Sequence, residues 1–460
     1  MENERLAYPL TLLPLELVGA RSRGVPVILR QPVFWIGFAI ASIFALMVGL
    51  HAYYPTVPSV NLAPNTWVIK DNWRLWFRMS FPMIGFFYLV NLDVSFSLWF
   101  FNLIFQTVEA MLKVFGLGAV SADPFGATLA LYKFMGTGAF FALLISTLWV
   151  ARQHLRVIWD RVLGRGDPAV DRDEVMSYPA AFWVLILSLV VMAIWLNASG
   201  MPGIAVVVFL AFMFTFFFAL TRIVMESGMA EAVAPAIAPT MVPALLGTEF
   251  LGKGGMMSLA MQFVYCSDIR TFVMVSAANT LRMTSVIQSG QRRLFWAFLI
   301  GIVVAFAASF YLTVSSGYRI GASTMQGWFF GSSGVPTIGF KWAQGKLATG
   351  AGPDTMGWLM AGGGGLVYLA LAAARFRFMA WPFHPIGFAL GPVWIMNQIW
   401  FSAFLSWLMK SVLLRYGGYK VYIFLRPFFL GLMMGQYAIN VLWLGLDALT
   451  GHTGVSLFWI

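Results

Sequence analysis

Charged residues are scarce in this chain of 460 residues. Only 10% of the residues are charged and 60% are apolar, whereas about a quarter of the residues in a soluble domain are charged. The formal net charge of +11 does not indicate nucleic-acid binding, because the basic residues are dispersed between apolar runs as topology signals are. The composition predicts an all-α, polytopic transmembrane helix bundle, with the lipid bilayer as its surroundings.

Cysteine and histidine are also rare. The single cysteine, Cys266, excludes an internal disulfide and a cluster of thiolate metal ligands. The four histidines are far apart and form no HExxH motif; they are His51, His154, His384 and His452. The run Gly362–Gly365 lacks the preceding strand and the following Lys-Ser/Thr of a phosphate loop, so we expect it to serve helix packing or local unwinding. We predict no metal and no cofactor.

Nine apolar runs have the length of about 20 residues that a spanning helix needs. They are 33–52, 79–101, 126–150, 180–197, 203–221, 294–315, 355–374, 386–409 and 427–448. Charges interrupt two further runs, 102–120 and 255–281, so we expect nine to eleven crossings. The domains expected from these runs are an N-terminal amphipathic segment 1–32, bundles 33–150, 179–320 and 354–460, a charged loop 151–178 and an extramembrane loop 321–353.

The basic residues predict topology. The segment from Arg152 to Tyr178 contains five arginines and five acidic residues, and the positive-inside rule places it in the cytoplasm. The same rule places the N-terminal segment there, which requires a second crossing or a re-entrant piece within 79–120. Basic residues near the C-terminus, Lys410 among them, also belong in the cytoplasm by this rule, which requires a further crossing or re-entrant element. The segment WPFHPIGFALGP (381–392) is the natural candidate for a re-entrant element.

The stretch from Arg222 to Gly247, RIVMESGMAEAVAPAIAPTMVPALLG, is the most unusual in the chain. Its charged residues Arg222, Glu226 and Glu231 precede three prolines with a spacing of four. A proline inside a helix removes a backbone hydrogen bond and clashes with the preceding turn, so the backbone must break. The expected helix breaks are Gly228, Pro235, Pro239 and Pro243. We expect either an intramembrane hairpin lining a pathway or a surface loop with its acids in water.

Several polar residues are candidates for substrate or coupling roles. Arg222 and Glu226 can pair on one helix face, and a helix restarting after Gly228 would offer free N–H groups to an anion. Asp93 has no basic residue nearer than Arg78 and Lys113. If its side chain is buried, it is a candidate site for a proton or a cation; if it lies near the membrane interface, it is exposed to water and has no such role. For the other candidates, a purely structural role is the alternative to a role in substrate binding or coupling. They are Glu231, Asn91, Asn279, Asn397, Gln398 and His384.

Small residues recur every four positions in the first run, at Gly37, Ala41, Ala45 and Gly49. The pairs Gly387/Gly391 and Gly431/Gly435 repeat this spacing. Small residues on one face let two helix backbones approach closely, so we predict tight helix pairs at these faces.

Some segments resemble a known family. LAYPLTLLPLE near the start resembles the aromatic-proline element of the oligopeptide transporter superfamily, which includes the yellow-stripe-like carriers. RIVMESGMAEA, WPFHPIGFALGPVW, LLRYGG and RPFFLGLMMG resemble segments of uncharacterised bacterial membrane proteins that are distantly similar to that superfamily. The resemblance implies a proton-coupled importer of peptides or metal chelates, built from inverted repeats of broken helices in about sixteen spans. Because this chain has fewer runs, we expect a homo-oligomer or a partner chain that supplies further N-terminal helices.

Three functions are consistent with these features. The first is a proton-coupled secondary transporter of a small polar solute, in the bacterial cytoplasmic (inner) membrane. The second is a non-transporting membrane subunit or scaffold. The third, an intramembrane enzyme acting on lipid-linked substrates, would need a cluster of acids, bases or metal ligands, and the scattered histidines disfavour it, so we expect no enzyme.

Overall fold

The structure is a computed structural model, and it describes most of the chain. The described residues are 8–18, 26–70, 72–118, 125–167, 170–171, 174–265, 268, 270–287, 292–321, 324–325, 327–331 and 334–451. Cys266 and His452 lie outside these ranges.

Helices dominate the described residues. They are α1 (Leu12–Val18), α2 (Pro32–Tyr53), α3 (Phe81–Leu89), α4 (Leu92–Val114), α5 (Ala130–Val150), α6 (Arg152–Val162), α7 (Tyr178–Ala198), α8 (Gly203–Ser227), α9 (Ala238–Leu246), α10 (Thr248–Met261), α11 (Met274–Ile287), α12 (Arg292–Ser316), α13 (Gly327–Phe330), α14 (Val335–Thr349), α15 (Thr355–Arg377), α16 (Pro385–Leu390) and α17 (Trp394–Thr450). Strands β1 (Asn65–Ile69) and β2 (Trp73–Trp76) form one antiparallel hairpin between α2 and α3.

The fold is an all-α membrane bundle, as the composition predicts. Within the described ranges, eight helices are long and apolar enough to span a bilayer; they are α2, α4, α5, α7, α8, α12 with its following turn, α15 and α17. One large core of buried apolar residues runs from Tyr8 to Ala403, so helices distant in the sequence share it.

Helix α17 is a hairpin of two helices. Gly418 within it has φ 67° and ψ −172°, which are not helical angles and are accessible mainly to glycine. The Lys410 Nζ lies 4.9 Å from the Tyr422 ring centroid, whereas residues twelve apart on a straight helix are about 18 Å apart. The chain therefore reverses at Gly418, and the predicted run 427–448 lies in the second arm. The predicted span 386–409 is wrong in its first part, because its first residues form the separate helix α16 and only the rest lies in the first arm.

The predicted span 79–101 is wrong, because the chain also reverses between α3 and α4. Ser80, Ile84 and Tyr88 contact Ser402, Ser406 and Lys410 in the same order, so α3 runs parallel to the first arm of α17. Ser95 and Asn102 contact Ala403 and Asn397 in the opposite order, so α4 runs antiparallel to that arm. The ambiguous run 102–120 instead extends α4 to Val114, with Glu109 and Lys113 paired at 2.6 Å.

The predicted loop 321–353 is partly helical. Helix α14 packs on α10 and on the turn after it, where the rings of Trp342 and Phe263 lie 5.0 Å apart. A Cβ on Gly339 would lie only 2.4 Å from the carbonyl oxygen of Ala260. This close approach buries one face of a helix in a segment that the sequence predicts as a connection.

Glycines form the tightest helix contacts, as the small-residue spacing predicts. A Cβ on Gly37 would lie 2.0 Å from the Phe428 carbonyl oxygen, and one on Gly435 would lie 2.3 Å from that of Phe38. Helix α2 therefore packs backbone to backbone on the second arm of α17. The same holds for α5 and α15, where a Cβ on Gly364 would lie 2.1 Å from the Met135 carbonyl oxygen, which gives the run Gly362–Gly365 a role in packing.

We predict that Gly431→Ala destabilises the protein. The new Cβ would lie 2.1 Å from the backbone oxygen of Phe34, so α2 and α17 must separate, at a cost of about 1–3 kcal/mol. Thermal unfolding of the purified protein measures this. Gly445→Ala is the matched control on the same helix: its Cβ meets nothing within 4 Å, so stability should stay equal or rise by up to about 1 kcal/mol. Equal loss in both variants would contradict the close packing.

Candidate functional site

Helix α8 ends at the first predicted break. Gly228 adopts φ 69°, a left-handed conformation that terminates α8 after Ser227. A Cβ on Gly228 would lie 2.4 Å from the Cβ of Pro9, so the N-terminal segment packs against the break. The backbone N–H of Tyr8 donates to the Met225 carbonyl oxygen at 3.0 Å, which fixes this contact.

The segment after the break is buried in protein. Of residues 228–237, all but Ala230 are buried, and the carbonyl oxygen of Pro235 accepts the Ala127 N–H at 2.8 Å. Pro239 lies in the first turn of α9 and Pro243 inside it, so the expected break at Pro243 is wrong: the helix continues past that proline to Leu246. The surface-loop interpretation is therefore wrong, since water does not surround this segment.

A second break lies between α15 and α17. The seven residues 378–384 lead into the six-residue helix α16, and all of α16 is buried. Ser97 of α4 accepts the backbone N–H of His384 at 2.6 Å and donates to the Asp93 carbonyl oxygen at 2.6 Å. The element predicted as re-entrant is thus a short helix held against α4.

Five ionisable side chains meet between these two breaks. We name them the arginine–carboxylate cluster, which consists of Asp93, Arg222, Glu226, Arg375 and His384. Glu226 lies 3.6 Å from the Arg222 Nε and 3.2 Å from the His384 Nε2. Asp93 lies 3.6 Å from the Arg375 Nη2, and Arg375 also acts electrostatically on Glu226. Four of these residues, all except Arg375, are candidates from the sequence.

The contacts of His384 determine its tautomer. Its Nδ1 accepts the backbone N–H of Ile386 at 3.2 Å, capping the N-terminus of α16. An accepting Nδ1 carries no proton, so in neutral imidazole the proton is on Nε2, facing Glu226. A second proton on Nδ1 would break the cap. The protonation of His384 is therefore linked to the start of α16.

The expectation of a buried, unpaired Asp93 is wrong. Its side chain is 50% exposed and pairs with Arg375. The reversal after α3 places Asp93 in the first turn of α4, where the helix dipole favours an acid. Arg375 is missing from the sequence candidates because it reads as a topology signal at the end of an apolar run. Its Nη1 is buried and has no hydrogen-bond partner within the described ranges.

Glu231 belongs to a different cluster. Its Oε1 lies 3.3 Å from the Arg270 Nε, and Arg270 also pairs with Asp268. Both carboxylate side chains are largely buried, while that of Arg270 is 50% exposed. Glu231 therefore links Arg270 to the broken stretch and does not join Glu226 in the arginine–carboxylate cluster.

Two of the remaining polar candidates, Asn397 and Asn279, have structural contacts. Asn397 accepts from Asn102 at 2.8 Å, and Asn102 also donates to the Gly391 carbonyl oxygen, which ties the turn before α17 to α4. Asn279 donates to the Val275 carbonyl oxygen in its own helix. Asn91 is exposed at the reversal between α3 and α4, and Gln398 is half-buried on α17.

Lys410 is a further polar residue that the sequence assigns only to topology. It is 7% exposed, and its Nζ donates to the carbonyl oxygens of Tyr88 at 2.9 Å and Val90 at 2.6 Å. These carbonyls end α3, where helical acceptors have no partner in the helix. The only feature of the sequence that indicates a buried position for this lysine is that it directly follows an apolar run.

Comparisons with known proteins give one result. No curated protein and no solved structure matches the chain. The model of a family of unknown function, DUF6785, matches residues 1–459. Among the described residues, no group of three or more His, Cys, Asp or Glu is placed to hold a metal ion.

We predict that Lys410→Met destabilises the protein by about 1–3 kcal/mol, because two buried carbonyl oxygens lose their donor. Lys420→Met, at an exposed position on the same helix, is the control and should leave the unfolding temperature unchanged. An unchanged unfolding temperature in Lys410→Met would show that Lys410 does not stabilise the reversal.

We also predict that His384→Ala and His384→Asn differ. Asparagine can cap α16 whereas alanine cannot, so the alanine variant should lose about 1 kcal/mol more. Hydrogen exchange of the amides at 386–390 measures this directly. Faster exchange in both variants to the same extent would mean that the cap does not hold α16.

Proposed function

We propose that this chain, which belongs to the family of unknown function DUF6785, is a secondary active transporter, proton-coupled and specific for a small polar solute such as a peptide or metal chelate. The observation that carries the proposal is the arginine–carboxylate cluster. Charged groups inside a membrane bundle are costly, and they usually mark a solute or ion pathway. Here they meet at two broken elements, as binding sites of many transporters do.

The pairing of Glu226 suggests how a proton would be coupled to solute binding. While ionised, Glu226 accepts from His384 and attracts Arg222. A proton on Glu226 would remove one negative charge beside Arg222. The guanidinium would then attract an anionic group of the solute more strongly, so proton and solute would bind together.

Asp93 and Arg375 would form the outer part of this site. Both side chains are partly exposed, at 50% and 37%, whereas those of Arg222 and His384 are more buried. A solute would meet this exposed pair first. Arg375 has an unused hydrogen-bond donor, since its Nη1 makes no hydrogen bond to the described part of the chain.

Movement would come from the two breaks. The short helices α9 and α16 each follow an irregular segment, and a displaced α16 would carry His384 away from Glu226. Rocking of one bundle against the other about these elements would give alternating access. The resemblance to the oligopeptide transporter superfamily and the absence of a nucleotide-binding motif from the sequence also support a secondary carrier. The bacterial cytoplasmic membrane is the proposed location.

A non-transporting subunit is the second candidate. Over their most apolar 18 residues, α12 has no buried residue and α7 is 6% buried, so both helices present most of their surface to lipid or to other chains. A partner chain or a second copy could cover them. In that case the cluster would stabilise an assembly and would surround no solute.

We predict that purified protein in proteoliposomes takes up protons when supplied with a substrate from a panel of di- to tetrapeptides and metal chelates. Glu226→Gln should abolish this uptake, because it removes the titrating group while keeping its size. Asp93→Asn should weaken solute binding more than proton uptake.

Glu249→Gln is the matched control, since Glu249 is an exposed glutamate at the start of α10. It should transport as the unchanged protein does. If the protein is folded but transports no member of the panel, the result would favour the second candidate, a non-transporting subunit. Uptake that survives Glu226→Gln would place the proton site elsewhere.

A further inference from the structure

Helix α6 is amphipathic, but no residue in it is buried by protein. Leu155, Ile158, Trp159 and Val162 have the spacing i, i+3, i+4, i+7, which places them on one helix face. Trp159 is 52% exposed and Leu155 is 42% exposed. An apolar face that remains in water gives no stabilisation by burial, so lipid or protein must cover it.

The position of α6 restricts the answer. A single residue, Ala151, separates α6 from α5, and α7 follows α6 in the sequence. Both α5 and α7 are long and apolar enough to span a bilayer. Trp159 packs edge-on against Phe182 of α7 at 5.7 Å, and His154 lies near Tyr178 at 6.4 Å. The apolar face of α6 is therefore continuous with the surface of α7, an apolar helix long enough to span a bilayer whose surface the described protein leaves almost entirely unburied.

The charges on α6 fit the same surroundings. At 100° per residue, Arg152 and Arg156 flank one side of the apolar face, and His154 and Arg161 flank the other. Long arginine side chains beside an apolar face can extend from it toward headgroup phosphates. Arg161 is also paired with the buried Asp171 at 3.1 Å, which ties that residue to the helix.

We infer that α6 is a phospholipid-binding helix lying in the plane of the membrane interface. Its apolar face rests among the acyl chains beside α7, and Arg152 and Arg156 contact headgroup phosphates. This follows the general behaviour of basic amphipathic helices, which bury their apolar face about 5–10 Å into the boundary region. The inference does not depend on transport.

Spin labels on the full chain in lipid nanodiscs test this. In a Cys266→Ser background, Leu155→Cys, Trp159→Cys and Val162→Cys place labels on the apolar face. Gln153→Cys, Val157→Cys and Asp160→Cys place them on the opposite face. The ratio of accessibility to oxygen over that to a water-soluble nickel reagent should be several-fold higher on the apolar face, with helical periodicity. Nanodiscs of phosphatidylcholine with phosphatidylglycerol supply the headgroups.

Two results would overturn the inference. Equal exposure of all six labels to the nickel reagent would mean that α6 projects into water. Low accessibility of the apolar face to both reagents would mean that protein, such as a second copy of the chain, covers it. Arg152→Gln with Arg156→Gln should shift the apolar-face labels toward water, whereas Arg165→Gln, beyond the helix end, should not. No shift with the double variant would exclude a contact between these arginines and phosphates.

Discussion

The need to satisfy every backbone polar group inside an apolar bundle constrains this fold more than any other factor. Lipid offers no hydrogen bonds, so a broken helix must find partners within the protein. At the reversal after α3 the partner is Lys410, which donates to two carbonyl oxygens. At the break after α8, Pro235 accepts from Ala127, and at the start of α16 the Ser97 hydroxyl accepts from His384. Each break is therefore tied to a distant element.

Close helix packing places those partners within reach. Gly126 contacts Pro235 so tightly that a Cβ there would lie 2.5 Å from the Pro235 carbonyl oxygen. Gly387 allows α16 to approach Ser97 in the same way, with a Cβ that would lie 2.5 Å from the Ser97 Cβ. These glycines lack a side chain where the backbones meet. Substitution there would remove the hydrogen bonds of a break as well as the contact itself.

The sequence predicts the helical class, most of the spans and both broken elements, because length, hydropathy and proline are local properties. It also predicts the pairing of Arg222 with Glu226, which follows from helical spacing. It does not predict the contact of Arg375 with Asp93, nor that of Lys410 with Tyr88, because each joins residues about 280 or more positions apart. The surroundings of Asp93 depend on the reversal between α3 and α4, which the distribution of basic residues requires within 79–120 but does not place at a particular residue.

The two broken elements have a common plan that connects the fold to the proposed site. Helices α8 and α15 each carry an arginine near the C-terminal end, Arg222 and Arg375, followed by an irregular segment and a short helix with proline in its first turn. Glu226 interacts electrostatically with both arginines, and its carboxylate accepts a hydrogen bond from His384 of the second element. A change of charge on Glu226 therefore alters the forces on both broken elements at once. The coupling of proton and solute that we propose requires an element with two arrangements that both ligands bias, and a carboxylate shared by two broken elements is placed where it could bias both.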